Sequence, residues 1–584
     1  MGNFRLRLLS VFTRRSLATR GTVRLGALVV ASALLALAGQ TEAQVVPGAI
    51  APGRDRPGPA VPTQPDFDFS IIAPHRSPVP RAVDEVHFTL TDIRIEGATT
   101  IPPAELRPLF AALIGKDITL GDILNVADKI EARYRAEGYL LVRAFVPPQR
   151  VRDGIFTINV VEGYIADITV QGGDEPTRAL IKGYLAPAQD SRPLRLATME
   201  RGLLMANDIP GVTATGVLRP SPDTKGASDL VVDAVQPWIS GGLRSDNRGS
   251  RFSGLWTIVG DVEFNSLFGA DQLAGTVTVS PSSLEQAAGQ LRYRRAIGDE
   301  GLIGSLIGAV THGQPGSTLT AFNVRTDSWA GGARLTYPLI RTRAETLLLD
   351  GGFTVQDARI GLLGFGLSHD KWRVLDFGGT YQRAHVLGGV WTVTFDLAQG
   401  LPFLDASPNR VGGLPNPLLS RFGGATDFTK FGAFSRLALP LVGSFSAVIS
   451  AQGQYSFSRL LTGEQITFGG TEIGRGYDPG AISGDHGLGG SAELRYDFHF
   501  ANSYVHALQP YVYLDAARTW YIRRGVPSPT LFDQSIASVG GGVRVWLPYN
   551  FTASAEVAHT LIVVPGSDAG QRATKLLVDL SVRF

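Results

Sequence analysis

Phe468-Gly469-Gly470-Thr471-Glu472-Ile473-Gly474-Arg475-Gly476-Tyr477-Asp478-Pro479-Gly480 sets one arginine among glycines, with an aromatic, a carboxylate and a proline behind it. Glycine lets a backbone turn tightly and take positive φ. Such a loop can fold back on itself and carry one charge to a chosen place. The chain stays glycine-rich to Gly490 and then alternates. Ala492, Leu494, Tyr496, Phe498 and Phe500 fall on one face of a strand. Ser491, Glu493, Arg495, Asp497 and His499 fall on the other. The apolar face needs lipid or a core, and the charged face needs water or ionic partners. A long loop on a barrel strand meets both demands.

The composition agrees. Of 584 residues only 18% are charged, below the usual quarter, and 69 are glycine. A net charge of +2 gives no case for nucleic acid. The chain has no cysteine, which excludes disulfides, thiolate metal sites and cysteine nucleophiles. Arg5, Arg7, Arg14, Arg15, Arg20 and Arg24 precede a short apolar run, Leu25 to Gly39, and small residues lead up to Ala43. This pattern predicts a secretory signal peptide over 1–43. The run is shorter than the ~20 residues a spanning helix needs. Residues 44–82 are rich in Pro, Gly and Ala and read as an extended linker.

From Asp84 the pattern becomes globular. Val86, Phe88 and Leu90 alternate, then Ile93 and Ile95 alternate in the other phase, so a strand with an irregularity near Thr91 is expected. Pro102-Pro103 opens a helix expected to reach Leu113. Thr119 and Asp122 resemble a capping box for a second helix, whose apolar positions are Ile123, Val126, Ala127, Ile130 and Tyr134. Strands 139–146 and 154–161 follow. The order β-α-α-β-β then recurs as 165–170, 176–184, 196–207, 212–218 and 229–235. Two units of about 75 residues are a tandem pair rather than a solenoid.

Beyond Pro237 the chain alternates almost throughout. Ala447, Ile449, Ala451, Gly453, Tyr455 and Phe457 oppose Ser446, Ser450, Gln452, Gln454 and Ser456. The last strand is Leu576, Val578, Leu580, Val582 and Phe584, with Asp579, Ser581 and Arg583 between them. A sandwich core must be dry, so polar inward faces over this length favour a closed barrel. At roughly 10 residues per strand plus loops the length suits about sixteen strands.

The two small units resemble POTRA domains. Gly138-Tyr139-Leu140-Leu141-Val142-Arg143-Ala144-Phe145-Val146-Pro147-Pro148-Gln149 and Val161-Glu162-Gly163-Tyr164-Ile165 resemble the first POTRA domain of two-partner secretion transporters, the TpsB family of ShlB, FhaC and HecB type. Asp246-Asn247-Arg248-Gly249 and Leu267-Phe268-Gly269-Ala270-Asp271-Gln272-Leu273 resemble the start of that family's barrel. The C-terminal aromatic resembles an outer-membrane insertion signal. The resemblance implies POTRA domains at 83–163 and 164–235 and a transmembrane β-barrel at 236–584 with a folded-back loop at 463–490. It also implies location in the outer membrane and type V, two-partner export of an unfolded haemolysin- or adhesin-like client. The implied partners are that TpsA-like exoprotein, outer-membrane lipid, and the barrel assembly machinery during insertion. No cofactor is implied. An assembly factor of BamA or TamA type shares the fold, and a passive porin or receptor is the other alternative. In some family members an N-terminal helix plugs the pore; the prolines of 44–82 argue against a long helix here.

In this superfamily the sixth extracellular loop carries Arg-Gly-aromatic, matched here by Arg475, Gly476 and Tyr477. Gly474 stands where the family often has Val, which should loosen the loop. Gly469 and Gly470 are the expected loop hinge. The implied partner of the arginine is Asp515, in Tyr511-Val512-Tyr513-Leu514-Asp515-Ala516-Ala517, where Ala517 replaces a glycine of the family pattern. A bidentate arginine–carboxylate pair would hold the loop firmly. It would either govern a conformational step or only stabilise the barrel. No Gly-x-Ser-x-Gly, His-Glu-x-x-His or Walker A sequence is present, the nine histidines are scattered, and Asp485-His486 carries little weight as a site. No enzymatic activity is expected.

Overall fold

The computed structural model describes residues 69–71 and 87–584, apart from 152, 225, 282–284, 501–503, 524–532 and 565–572. The expected signal peptide and most of the linker lie outside the described residues. The first element, β1 (Phe69–Ile71), is the part of the linker that is described.

The first small unit contains β2 (His87–Thr89), β3 (Asp92–Glu96), α1 (Pro103–Leu106), β4 (Asp117–Thr119), α2 (Leu120–Ala136), β5 (Val142–Phe145) and β6 (Ile155–Glu162). Its main sheet has the order β3-β6-β5, with β3 parallel to β6. The expected irregularity near Thr91 is the break between β2 and β3. The expected helix to Leu113 is shorter: one α turn gives way to 3-10 turns at Arg107–Leu109 and Ala111–Leu113. Pro108 lacks the amide that a continuing α-helix would use. At α2 the Asp122 amide donates to Thr119 Oγ1, and Thr119 N–H donates to the Asp122 carboxylate at 2.9 Å. This box satisfies two otherwise orphaned donors. Ile123, Val126, Ile130 and Tyr134 are fully buried. Each such aliphatic side chain contributes about 1.5–3 kcal/mol by leaving water.

Glu162, at the end of β6, ties this unit together. It accepts from the amides of Thr99 and Thr100, from both threonine hydroxyls, and from Tyr134 Oη at 2.7 Å. Burial pushes its pKa up, but these donors outweigh burial and hold it below the usual carboxylate range. The unfolded chain therefore takes up this proton first as pH falls. The stabilisation is present above the ordinary carboxylate pKa and is lost as pH falls through the depressed folded value. We expect Glu162→Gln to flatten this unit's loss of stability on the acid side. Hydrogen exchange of α2 as a function of pH checks it, and an unchanged profile would contradict the linkage.

The second unit contains β7 (Tyr164–Gly172), α3 (Glu175–Asp190), α4 (Leu196–Asp208), β8 (Thr213–Pro220) and β9 (Ala227–Val235). Helix α3 runs through Pro187, well past the expected end at Tyr184. Ile165, Ile181, Leu185, Leu230 and Val232 form a fully buried core. The sheet order is β1-β8-β9-β7. The linker strand β1 lies parallel on the β8 edge, pairing Phe69 with Gly216, Ser70 with Val217 and Ile71 with Leu218. These three residues of the linker are extended and bound to the β8 edge.

The second unit is fastened to the barrel. Arg341 Nε and Nη2 each donate to a carboxylate oxygen of Asp208 at 2.8 Å. Arg201 donates to the Pro338 carbonyl at 3.2 Å, and Ser266 bonds to Asp174. Paired arginine–carboxylate contacts of this kind fix orientation as well as position.

The barrel is a closed antiparallel sheet of sixteen strands, from Ile239–Asp246 to Thr574–Arg583. The first and last strands close it by pairing Gly242–Asp246 with Asp579–Arg583. Gly241 and Phe584 add reciprocal amide-to-carbonyl bonds at 3.0 Å. Closure leaves no free sheet edge in the bilayer, where an unpaired backbone group is costly. Leu291, Leu306, Phe377, Val512, Leu514 and Leu576 point outward and are exposed on the isolated chain, as a lipid face requires. Strand Phe365–Val386 has 22 residues, about twice what a tilted span needs, so the wall rises above the bilayer on that side. No helix among the described residues is long and apolar enough to cross a membrane.

Candidate functional site

The loop 457–485 joins strands Phe445–Ser456 and His486–Tyr496, at the barrel end away from the small units. It turns inward. A short hairpin, Ile466–Phe468 with Ile482–Gly484, brings its two limbs together. Phe468, Ile473 and Ile482 pack with Ala517, Ile536 and Val564, while Tyr477 lies against this cluster. The loop thus carries its own apolar packing into a lumen whose walls are polar.

Three wall strands receive the tip. Register places Ser491 opposite Asp515 and Asp515 opposite Ser538. All three face inward, so a row of oxygens crosses the wall. Arg475 meets this row. Its backbone amide and Nε both donate to Asp515 Oδ2 at 3.2 Å, and Nη2 donates to Ser491 Oγ at 3.1 Å. Its shortest contact is elsewhere: Nη1 donates to Glu493 Oε2 at 2.6 Å. The guanidinium lies 3.3 Å from the centre of the Tyr513 ring, within cation–π range. Arg475 is only 7% exposed, and that burial is tolerable because each of its three nitrogens has an acceptor.

Gly476 and Tyr477 complete the anchor. The Gly476 amide donates to Ser538 Oγ at 3.2 Å, and that hydroxyl bonds to Asp515. A Cβ on Gly476 would lie 3.0 Å from Thr560 and 3.1 Å from Ser538, so glycine lets the backbone reach the wall. Tyr477 Oη lies 2.9 Å from the Ala537 carbonyl and 2.6 Å from the Ile562 carbonyl, and it accepts from both amides.

The expected pairing is therefore brought together with a different geometry. Asp515 does not grip the guanidinium bidentately, because one of its oxygens is taken by Ser538. Glu493 supplies the second carboxylate. It also accepts from Arg495 Nε at 2.6 Å and Arg544 Nη1 at 2.8 Å. Farther along the wall, Tyr511 and Tyr513 donate to Glu556 at 2.6 Å and 3.0 Å, and Arg248 lies 3.4 Å from it. Glu493, Ser491, Ser538 and Glu556 were not among the expected partners. The signal for the first two was available: both lie on the charged face of the strand that follows the loop.

The departures at Gly474 and Ala517 both have a structural account. Gly474 sits at φ +87°, and a Cβ there would lie 2.4 Å from Ile536 Cδ1. The absence of a side chain lets Ile536 pack against the turn. Ala517 lies opposite Gly489, and a Cβ on Gly489 would lie 2.9 Å from the Ala517 methyl. The close contact is kept with the small residue moved to the neighbouring strand. Gly469 and Gly470 have φ of +111° and +106°, and a Cβ on Gly469 would lie 2.3 Å from the Asp478 carbonyl. They form a compact turn at the loop's inward bend.

The arrangement holds the charged tip of the loop against the inner wall. No group of three or more His, Cys, Asp or Glu able to hold a metal occurs among the described residues.

The ShlB-type POTRA domain model matches residues 88–163. The model for the haemolysin secretion/activation protein ShlB/FhaC/HecB matches residues 226–545, more than half of the chain. The chain belongs to the ShlB/FhaC/HecB family. The outer membrane transporter CdiB of Escherichia coli O6:K15:H31 is 25% identical over 428 residues, covering 68% of this chain and 67% of that protein. The haemolysin transporter HpmB of Proteus mirabilis is 25% identical over 425 residues, covering 70% and 73%. Among solved structures, Escherichia coli CdiB aligns with TM-score 0.65 at 21% identity over 88% of this chain and 93% of its own. BamA from Haemophilus ducreyi lacking POTRA domains 1–3 aligns at 0.51 and 12% identity, covering 85% and 100%, which shows a shared fold. This ShlB/FhaC/HecB member is thus an outer-membrane barrel with its POTRA domains in the periplasm. The turns fastened to the second small unit are periplasmic, and loop 457–485 enters from the extracellular side.

Proposed function

We propose that this protein exports an unfolded exoprotein, of haemolysin or adhesin type, from the periplasm to the cell surface. Family membership supports two-partner export, and a relative named as a haemolysin transporter supports a haemolysin-type cargo. The observation that carries the reading is a single arginine-anchored loop lying in the lumen of a barrel whose periplasmic end bears strand-accepting sheets. A loop held by exchangeable polar contacts is a movable obstruction. Deleting the protein should remove one large, β-rich protein from the secreted proteome. Loss of several outer-membrane barrels instead would point to an assembly factor.

The client first adds to a POTRA sheet edge as an extended strand, a mode that takes its affinity from backbone hydrogen bonds and demands little sequence. The β8 edge supports this, because it already accepts an extended segment, β1. Client and linker would then compete for one edge. The chain has no cysteine, so a Ser70→Cys/Val217→Cys pair can form only its own bridge. We expect the oxidised pair to slow export and reductant to restore it. Export at the parental rate in the oxidised state would move the client to another edge, such as β5.

A further inference from the structure

The mouth of the barrel carries a second polar centre, separate from the Arg475 anchor. Asp485 is fully buried at the point where loop 457–485 rejoins the wall. Its carboxylate takes four donors from three segments. Arg421, from the long loop 401–428, bonds both oxygens, with Nη2 to Oδ2 at 2.9 Å. The Leu460 amide, at the start of loop 457–485, donates to Oδ1 at 2.9 Å. The Ile522 amide, just past strand Ala507–Trp520, donates to Oδ2 at 2.8 Å. Arg459 repeats the pattern from the other side: it donates to the Ile522 carbonyl at 3.1 Å and to the Phe422 carbonyl at 3.3 Å.

An apolar cluster lies beside this centre. Leu460 and Leu461 are fully buried with Trp372, Val374, Leu419 and Phe428. A buried carboxylate with four donors is stable where it is, but it strands several of them if it is removed. Nothing in the Arg475 anchor requires it, since Arg475 is satisfied by wall strands alone.

We propose that Asp485 is an outer lock: it ties loops 401–428 and 457–485 to the segment after Trp520 and so closes the extracellular mouth independently of the inner anchor. The inner anchor sets where the loop tip lies. The outer lock sets whether the loops above it part. The outer lock must part before a chain can emerge, while the inner anchor must re-form to return the loop to its place after each release; that last step rests on the export reading, whereas closure itself does not.

Closure is tested without any client. Purified full-length protein carrying Asp485→Ala is inserted into planar lipid bilayers, with heat-modifiable gel mobility as the check that the barrel is folded. We expect time-averaged conductance to rise by about tenfold, equivalent to losing about 1.4 kcal/mol of closing free energy. Arg421→Met should do the same, and serves instead if Asp485→Ala fails to insert. In the Arg475→Ala background the Asp485 change should multiply the conductance again. Parental conductance in folded variants, or no further rise in that background, overturns the proposal.

The release step has its own arm. Ala425 and Leu460 form an isolated bridge between the two loops, so Ala425→Cys/Leu460→Cys staples them. Oxidation should hold conductance at its lowest level and stop export of whichever exoprotein the deletion strain lacks, with reductant restoring both. Normal export from stapled protein overturns the need for release. If the deletion strain lacks no exoprotein, the export reading fails while the conductance result still decides closure.

Discussion

Arg475→Ala should leave the barrel inserted at near-normal abundance and reduce export by at least an order of magnitude. The Arg475 side chain makes no contact that closes the barrel: closure depends on the pairing of Gly242–Asp246 with Asp579–Arg583, none of which it touches, and the loop's own link to the last strand is made by Asp478 to Lys575. What the substitution removes is the tip's grip on Glu493, Asp515 and Ser491. Losing one partner of a buried, hydrogen-bonded ion pair typically costs about 3–5 kcal/mol. Here much of that strain can be relieved, because Glu493 keeps Arg495 and Arg544 and Asp515 keeps Ser538 and the backbone amide at position 475. The anchored position of the loop is therefore what loses, more than the fold. Outer-membrane abundance, heat-modifiable mobility and secreted exoprotein measured together check this. Normal secretion at normal abundance would reduce the arginine to a structural role. Arg475→Lys should recover little, since an ammonium cannot serve Asp515, Glu493 and Ser491 with the fixed fork of a guanidinium.

How much of this was legible in the sequence follows from the physics of each element. The barrel was legible because its signal is binary: one face meets lipid, so alternation recurs strand after strand, and closure at about sixteen strands follows from length. Helix α2 was legible because its cap and its buried stripe, Ile123 to Tyr134, agree. The first helix is shorter than its opening suggests, since Pro103 opens it but Pro108 ends its regular bonding. The approach of Arg475 to Asp515 was anticipated only through family resemblance; nothing local to Asp515 distinguishes it from other inward carboxylates. Glu493 stands two residues beyond Ser491 on the charged face of its strand, but alternation alone does not say which of that face's charges meets Arg475. Partner choice inside a barrel depends on register between neighbouring strands, and register is a non-local property. The same limit hid Gly489, whose missing side chain makes room for Ala517. It also hid the β1 pairing, because a proline-rich linker shows no periodicity to mark three residues that bind an edge.

Glu493→Ala should destabilise the barrel more than Asp515→Ala, although Asp515 is the residue the family pattern singles out. Glu493 is the common acceptor for Arg475, Arg495 and Arg544. Removing it leaves three guanidinium groups facing one another in a confined lumen, and like charges repel where little water screens them. Arg544 retains Gln509, and Arg475 retains Asp515, so the burden falls chiefly on Arg495 and on mutual repulsion. Asp515→Ala, by contrast, leaves Arg475 paired with Glu493 and frees mainly Ser538 and the loop backbone. The two substitutions should separate two properties. The first should lower the heat-unfolding midpoint of the purified barrel by several degrees more than the second, while the second should disturb export more for its smaller loss of stability. Glu493→Gln should fall between parent and Glu493→Ala in stability, because the amide still accepts hydrogen bonds without neutralising the arginines. Raising salt should narrow the gap between Glu493→Ala and the parent, since mobile anions can take part of the missing charge's place. Equal midpoints for Glu493→Ala and Asp515→Ala would show that the wall, not the carboxylate, holds the arginines apart.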